Sequence, residues 1–169
     1  MGKSNIVLIG MPSSGKSTVG KYLSRITGRV FVDTDALIKQ RENRELKSIV
    51  IEDGLERFLE IQKTVILELN EKNLVISTGG SVIYNSDSME YLKRDGVVVF
   101  LKLGLEEIRK RLEEGRRFAR TEGQSFEELY NERMPLYRKY ADISIECSGK
   151  SVEDIAEIII QRLQVYMKA

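Results

Sequence analysis

The chain has 169 residues, a length that fits a single domain with a sizeable core. Its 27 lysines and arginines nearly balance its 26 aspartates and glutamates, so the net charge of +1 favours neither nucleic acid nor an acidic surface as a partner. The absence of histidine excludes histidine-based catalysis and histidine metal sites, and the single cysteine, Cys147, excludes an intramolecular disulfide. We expect Cys147 to be a small residue that fills a strand.

Strand and helix patterns alternate along the chain. Apolar runs predict strands at residues 6–9, 29–32, 73–77, 96–101 and 143–147. Helical spacing and capping signals predict helices at residues 17–26, 36–70 with a break near Gly54, 88–94, 105–112, and after Ser125 and Ser151. This alternation indicates an α/β architecture with a parallel sheet, in one domain that spans residues 1–169.

Two stretches bear on location and mobility. The first apolar run, residues 6–9, is too short for a signal peptide or a membrane span, so we expect a cytoplasmic protein without a membrane partner. Residues 113–124 contain Gly115, Gly123 and three arginines but few apolar side chains. That composition predicts a mobile surface loop.

Residues 10–17, Gly-Met-Pro-Ser-Ser-Gly-Lys-Ser, match the P-loop pattern G-x-x-x-x-G-K-[ST] between a predicted buried strand and a predicted helix. The glycines allow a tight turn, and the amides at the start of the helix face the phosphates of a nucleotide. Lys16 is expected to reach the β- and γ-phosphates of ATP, and the Ser17 hydroxyl to ligate Mg²⁺. The predicted nucleotide contacts of this segment are Ser13, Ser14, Gly15, Lys16, Ser17 and Thr18.

The P-loop does not by itself name the reaction. The chain lacks the Asn-Lys-x-Asp segment expected of a GTPase, and it is short for a motor-type ATPase. A small-molecule or nucleotide kinase is therefore favoured.

Two carboxylates, Asp33 and Asp35, follow the second predicted strand. Ligands of open α/β sheets bind at such strand ends, and residues two apart in an extended stretch face the same way. We expect one carboxylate to support Mg²⁺ and the other to accept a proton from an attacking hydroxyl.

At this point the sequence resembles the shikimate kinase family. The resemblance is carried by Gly-Met-Pro-Ser-Ser-Gly-Lys-Ser-Thr-Val-Gly at 10–20, Phe-Val-Asp-Thr-Asp at 31–35, Ser-Thr-Gly-Gly at 77–80, and Arg-Met-Pro-Leu-Tyr at 133–137 with Ala-Asp at 141–142. It implies an ATP:shikimate 3-phosphotransferase with the three-layer sandwich of a P-loop kinase. The implied sheet has five parallel strands with helices on both faces, an acceptor-binding helical segment at about 33–62, and a mobile lid at about 113–124.

The resemblance also implies a role for each matching residue. Asp35 would bind the acceptor hydroxyls and act as base, Asp33 would support Mg²⁺, and Arg133 would clamp the acceptor carboxylate. The backbone amides of Gly79 and Gly80 would face the acceptor. The lid arginine, Arg117, would cover the phosphates and act with Lys16 as a catalytic cation. Lys150 would lie on the adenine side.

Several positions depart from the family pattern, and all lie on the acceptor or lid side. Leu59 and Gln62 stand where the family has an arginine and its partner glutamate, and Ser81 stands where it has a third glycine. Residues 117–119 read Arg-Phe-Ala in place of the family's Arg-Pro-Leu. Losing one partner of a buried charged clamp costs about 2–5 kcal/mol. These departures favour a kinase with an altered acceptor pocket.

Two alternatives to a shikimate kinase therefore stay open. One is a related kinase with a different small hydroxylated acceptor, and the other is a catalytically silent nucleotide-binding relative. Retention of Lys16, Ser17, Asp33 and Asp35 disfavours the silent relative. In each case we expect a monomer that binds small molecules and no nucleic acid.

Overall fold

A computed structural model describes residues 2–112 and 123–166. The strands of its sheet are β1 (Asn5–Ile9), β2 (Val30–Asp33), β3 (Leu74–Ser77), β4 (Gly96–Lys102) and β5 (Ile143–Glu146). They are all parallel and lie in the order β2-β3-β1-β4-β5. The predicted five-stranded parallel sheet is confirmed.

The described helices are α1 (Lys16–Thr27), α2 (Thr34–Glu42), α3 (Leu46–Asp53), α4 (Leu55–Leu67), α5 (Ser86–Asp95), α6 (Leu105–Leu112), α7 (Phe126–Tyr140) and α8 (Val152–Tyr166), with a 3₁₀ turn at Val82–Tyr84. The capping box predicted at Ser125 is present, since its hydroxyl accepts from the Glu128 amide and the Glu128 carboxylate accepts from the Ser125 amide. None of the described helices is long and apolar enough to span a membrane.

The sheet is buried because helices cover both of its faces. Every residue of β1 is buried, and so are all residues of β4 except Lys102. A strand without a solvent face must be packed on both sides, as is usual for parallel sheets. Cys147 follows β5 as a buried free thiol in the main core, in line with the structural role expected for it.

The segment predicted as one helix with a single break contains three helices. Besides the break at Gly54, a second one occurs at Asn43, whose φ of 50° is left-handed. Asparagine tolerates that conformation, so it ends α2 where most residues would continue the helix. Helices α2, α3 and α4 then enclose a second, smaller core, formed by Ile38, Ile49, Phe58, Ile61 and Val65.

The strand register gathers the chemistry at one edge of the sheet. Asp33 pairs with Ser77 across β2 and β3, and Leu8 pairs with Ser77 across β1 and β3. The chain segments that follow these three strands therefore begin side by side. They contain the P-loop, the Asp33–Asp35 segment and the Gly79–Gly80 turn, so the fold brings the predicted site residues together.

The start of β4 provides a test of this packing. A Cβ on Gly96 would lie 2.7 Å from the Leu92 carbonyl oxygen and 2.7 Å from Cγ2 of Val7. Because one of these neighbours is backbone, Gly96→Ala should lower the free energy of unfolding in urea by about 1–3 kcal/mol. The matched control is Gly104→Ala, whose nearest neighbour would be 3.9 Å away. Equal stability of the two variants would contradict this packing.

Candidate active site

The loop that follows β1 has the geometry its glycines predict. A Cβ on Gly10 would lie 2.7 Å from the Leu101 carbonyl oxygen and 2.9 Å from Oγ of Ser14. Gly15, with a φ of 96°, precedes α1 in the left-handed region. A side chain is thus excluded at one end of the loop and strained at the other.

Lys16 is held against this loop. Its side chain is buried, and its Nζ donates to the carbonyl oxygens of Gly10 and Met11 at 2.8 Å each. These bonds fix the ammonium group at the start of the loop. The predicted phosphate-binding lysine is therefore preorganised rather than spread over many rotamers.

Two serines of the loop have unusual environments. Ser13 has a φ of 63°, and its carbonyl oxygen accepts from a guanidinium nitrogen of Arg111 at 2.9 Å. Ser14 is buried, and its hydroxyl has no hydrogen-bond partner within the described part of the chain. A buried hydroxyl without a hydrogen bond destabilises the fold, and a bound ligand could supply the missing bond. Thr18 lies exposed in the first turn of α1.

Arg111, at the end of α6, is a cation that no sequence motif predicts for this site. The same guanidinium nitrogen would lie 3.9 Å from a Cβ on Gly15. The lid arginine predicted for the phosphates, Arg117, lies outside the described residues, as does most of the predicted lid at 113–124. Within the described residues, Arg111 therefore adds a second positive charge to the P-loop, besides that of Lys16.

Lys150, predicted on the adenine side, lies in the turn after β5, where its amide donates to the Cys147 carbonyl oxygen at 3.2 Å. Burial raises the pKa of the Cys147 thiol to about 11, whereas the charges of Lys150 and Arg111 act in the opposite direction. The adenine-side role of Lys150 stays a prediction.

Ser17, Asp33 and Ser77 form a cluster of oxygen ligands. Oγ of Ser17 donates to Oδ2 of Asp33 at 2.8 Å and lies 3.2 Å from Oγ of Ser77. Hard oxygen donors with one carboxylate suit Mg²⁺, which usually takes one or two protein carboxylates and completes its shell with water and substrate phosphates. Ser77 lies in one of the segments that resemble the shikimate kinase family, but the sequence did not indicate it as a metal ligand.

Asp33 and Asp35 do not face the same way along an extended strand, so that expectation is wrong. Strand β2 ends at Asp33, and Asp35 lies in the first turn of α2. The cause is helix capping, because Oδ1 of Asp33 accepts from the amides of Asp35 and Ala36 at 3.0 and 3.2 Å. The early helix start separates the two carboxylates into different environments.

The carboxylate of Asp35 is poised to take up a proton. Its Oδ1 is buried and has no hydrogen-bond partner in residues 2–112 and 123–166. Its pKa is raised from 3.8 to about 6, chiefly by burial and next by the negative charge of Asp33, while the charge of Lys16 lowers it. A buried carboxylate oxygen of this kind needs a donor such as a hydroxyl.

Four side chains converge on the Gly79–Gly80 turn after β3. A Cβ on Gly79 would lie 2.6 Å from Oδ1 of Asp35 and 2.8 Å from Nε2 of Gln62. A Cβ on Gly80 would lie 2.9 Å from a guanidinium nitrogen of Arg133 and 2.8 Å from Cδ of Pro12. A side chain at either glycine would have to displace at least one of these four side chains.

The backbone of this turn is itself tied down. The Gly79 amide, predicted to face the acceptor, donates to Oγ1 of Thr34 at 3.3 Å. The hydroxyl of Tyr137 donates to the Gly80 carbonyl oxygen at 2.6 Å, and its ring stacks on Phe100. The turn is thus fixed to both α2 and α7.

Arg133 is buried beside this turn, with 1% of its surface exposed. Its Nε donates to the Tyr84 hydroxyl at 3.2 Å, and the guanidinium lies 5.3 Å from the centre of the Tyr84 ring. The Tyr84 hydroxyl donates in turn to Glu132 at 2.7 Å. Tyr84, which no motif indicates, therefore fixes the orientation of the arginine predicted to bind the acceptor.

Of the positions that depart from the family pattern, residues 117–119 lie outside the described residues, and the other three occupy two different places. Gln62 and Ser81 are both buried and contact each other, with 3.2 Å between Nε2 and Oγ. Leu59 is half-buried and packs against the second core. Two of the departures thus form one local structure beside Asp35.

A glycine-bounded P-loop next to a buried carboxylate oxygen is the arrangement of a P-loop phosphotransferase. The particular family follows from comparison with known proteins: the chain belongs to the shikimate kinase family, whose model, "Shikimate kinase", matches residues 12–164. The structural family and enzyme class predicted from the motifs are both confirmed.

Individual relatives agree with this assignment. The shikimate kinase of Persephonella marina is 37% identical over 95% of this chain and 99% of its own length. That of Clostridium botulinum is 40% identical over 92% of this chain and 94% of its own length. The solved shikimate kinase of Acinetobacter baumannii, in complex with shikimate, has a TM-score of 0.89 and 32% identity, with 96% of this chain and 94% of that chain covered.

The P-loop geometry predicts that Lys16 carries much of the affinity for ATP. Lys16→Met should weaken ATP binding at least about tenfold, because removing a charged group that contacts phosphate costs more than about 1.4 kcal/mol. The measurement is isothermal titration calorimetry without acceptor. Lys21→Met, on the same helix but exposed, is the matched control. Equal ATP affinity for the two variants would contradict the assignment of Lys16.

Proposed function

We propose that this protein transfers the γ-phosphoryl group of ATP to the 3-hydroxyl of shikimate. The observation that carries the proposal is the buried, partnerless Oδ1 of Asp35 (among the described residues) at the Gly79–Gly80 turn, with the guanidinium of Arg133 at the next residue. A hydroxyl could donate to Oδ1 of Asp35, and the positive charge of Arg133 would attract a carboxylate a few ångströms away. Shikimate has these two features, and the Acinetobacter baumannii relative was solved in complex with it.

The proposed mechanism relies on positioning and charge. Asp35 holds the attacking hydroxyl and accepts its proton as its oxygen bonds to the γ-phosphorus, while the bond from that phosphorus to the bridging oxygen breaks and ADP leaves. The ammonium of Lys16, held at the P-loop, stabilises negative charge on the phosphoryl oxygens. Arg133 holds the acceptor carboxylate in a fixed orientation, which keeps the hydroxyl in line with the γ-phosphorus.

We propose that the reaction uses a Mg²⁺ ion, which Ser17 and Asp33 would hold with Ser77 beside them. When bound it would neutralise phosphate charge. The protein residues contribute by fixing its position, because Asp33 is already anchored through its cap on α2. The same proposal makes Arg117 the lid arginine and places Lys150 on the adenine side. It also holds that the protein is a monomer in the cytoplasm.

The second candidate is a kinase for another small hydroxylated acceptor. It is favoured by the neutral Gln62–Ser81 pair and by Leu59, which packs into the second core where the family has a charged residue. A silent nucleotide-binding relative fits less well. Burying a carboxylate without a partner destabilises the fold, and a protein without an acceptor has no function to offset that cost.

Asp35 gives the sharpest test of the mechanism. Asp35→Asn should lower kcat at least about 100-fold, since a general base contributes a factor of about 100 to 10,000. ATP affinity should stay the same. In the wild-type protein, kcat/KM for the acceptor should rise with pH up to about 6 and then level off, because the carboxylate must lose its proton. Asp87→Asn, an exposed carboxylate paired with Lys63, is the control.

Asp35→Asn should also stabilise the fold. The folded-state pKa of about 6 exceeds the ordinary value of 3.8, so the folded protein binds more protons than the unfolded chain between these values. Stability therefore falls as pH rises through that window, and the loss persists at pH 7. Asp35→Asn would remove this loss, worth about 2–3 kcal/mol in urea unfolding at pH 7. A destabilised variant at pH 7 would contradict this environment for Asp35.

The metal proposal is tested through nucleotide binding. In the wild-type protein, ATP should bind more tightly in MgCl₂ than in EDTA. Ser17→Ala should remove most of that difference and leave affinity in EDTA nearly unchanged, because the hydroxyl bonds to Asp33 and is expected to contact the metal and not the phosphates. Ser24→Ala, on the same helix with its hydroxyl on the Arg29 carbonyl, is the matched control. An undiminished effect of Mg²⁺ in Ser17→Ala would overturn the metal role of Ser17.

A further inference from the structure

Gln62 is a buried neutral amide in a place where polar groups are costly. It lies on α4 with 2% of its surface exposed. Burying an amide without hydrogen bonds is unfavourable by about 1–3 kcal/mol on protein scales, so its bonds decide whether the position is structural or functional.

The contact with Ser81 leaves part of the amide's bonding capacity unused. Nε2 of Gln62 lies 3.2 Å from Oγ of Ser81, and the same hydroxyl lies 3.4 Å from Oε1. Both contacts join one hydroxyl to one amide, so only one can be well directed at a time. The amide nitrogen has two N–H groups, and the Ser81 contact uses one of them. Ser81 therefore orients the amide without saturating it.

The amide nitrogen of Gln62 lies near the carboxylate of Asp35. Nε2 of Gln62 and Oδ1 of Asp35 lie 2.8 and 2.6 Å from the same point, the position of a Cβ on Gly79. One atom donates hydrogen bonds and the other accepts them. Two neighbouring hydroxyls fit this pair, because one can donate to the carboxylate while the other accepts from the amide.

A carboxylate fits this place poorly. Asp35 already places one carboxyl group here, and Gln62 and Ser81 carry no charge to offset a second. The guanidinium of Arg133 lies at Gly80, the next residue, and offers a better place for an anionic group. The two glycines thus separate a neutral diol-binding part of the site from a carboxylate-binding part.

We propose that Gln62 is a specificity-determining residue that donates a hydrogen bond to the hydroxyl adjacent to the one that is phosphorylated, with Ser81 as the residue that positions its amide. The acceptor is then a vicinal diol. This inference rests on the proposed function, since it concerns the same acceptor.

The test pairs enzyme variants with substrate variants. The probes are shikimate and 4-deoxyshikimate, which lacks the hydroxyl next to the 3-position. The wild-type protein should prefer shikimate by about 10- to 100-fold in kcat/KM, the range expected for an unfilled hydrogen-bonding site. Gln62→Met should lose about that factor on shikimate and stay within about threefold of wild type on 4-deoxyshikimate. Neither change should alter KM for ATP.

Further variants keep the test decisive if Gln62→Met folds poorly. Gln62→Leu removes the donor without placing a second carboxylate beside Asp35, and should lose the same preference. Ser81→Ala should reduce the preference about three- to fivefold through KM for the acceptor, since the amide is then less well oriented. Gln161→Met, an exposed amide on α8, is the control.

The outcomes separate the two levels of the proposal. Equal losses on both substrates in the Gln62 variants would show a structural role and overturn the specificity role, with the phosphotransfer function intact. A wild-type protein that does not discriminate between the substrates would overturn it as well. If the wild-type protein phosphorylates neither substrate, the proposed function fails first, and this inference fails with it.

Discussion

One carboxylate, Asp33, joins the two halves of the site. Its Oδ2 accepts from Ser17 in the first turn of the P-loop helix, while its Oδ1 caps the helix that carries Asp35. The phosphate side and the acceptor side are therefore fixed relative to each other through one side chain at the end of β2. Because transfer depends on the position of a hydroxyl relative to a phosphorus atom, this constraint comes before any individual catalytic contact.

The helix that Asp33 caps also sets the chemistry of Asp35. An early helix start turns Oδ1 of Asp35 into a buried place beside the Gly79–Gly80 turn, where the pKa of the carboxyl rises to about 6. Burial here destabilises the fold but brings the pKa of the carboxyl closer to neutral pH, as the proposed role of a general base requires. Two tyrosines hold neighbouring groups in place. The hydroxyl of Tyr84 accepts from Arg133, and the hydroxyl of Tyr137 donates to the Gly80 carbonyl oxygen. The site is built by preorganisation of groups that are individually unfavourable.

The sequence predicted the sheet and the P-loop well because both are local patterns. Five apolar runs and a glycine-bounded motif need no knowledge of distant contacts. The direction of Asp35 could not be predicted in this way, because it depends on where α2 begins. Arg111, Ser77 and Tyr84 escaped prediction because their roles arise from contacts with Ser13, Ser17 and Arg133, which are far away in the chain. The pairing of Gln62 with Ser81 is of the same kind.

The central claim is that phosphate leaves ATP for a hydroxyl held by Asp35. The most direct measurement incubates the wild-type protein with ATP, Mg²⁺ and shikimate, and follows all phosphorus species by ³¹P nuclear magnetic resonance with mass spectrometry of the acceptor. The account predicts one equivalent of a phosphate monoester on the acceptor for each ADP formed, with negligible inorganic phosphate. Release of ADP and inorganic phosphate without a phosphorylated acceptor would contradict it.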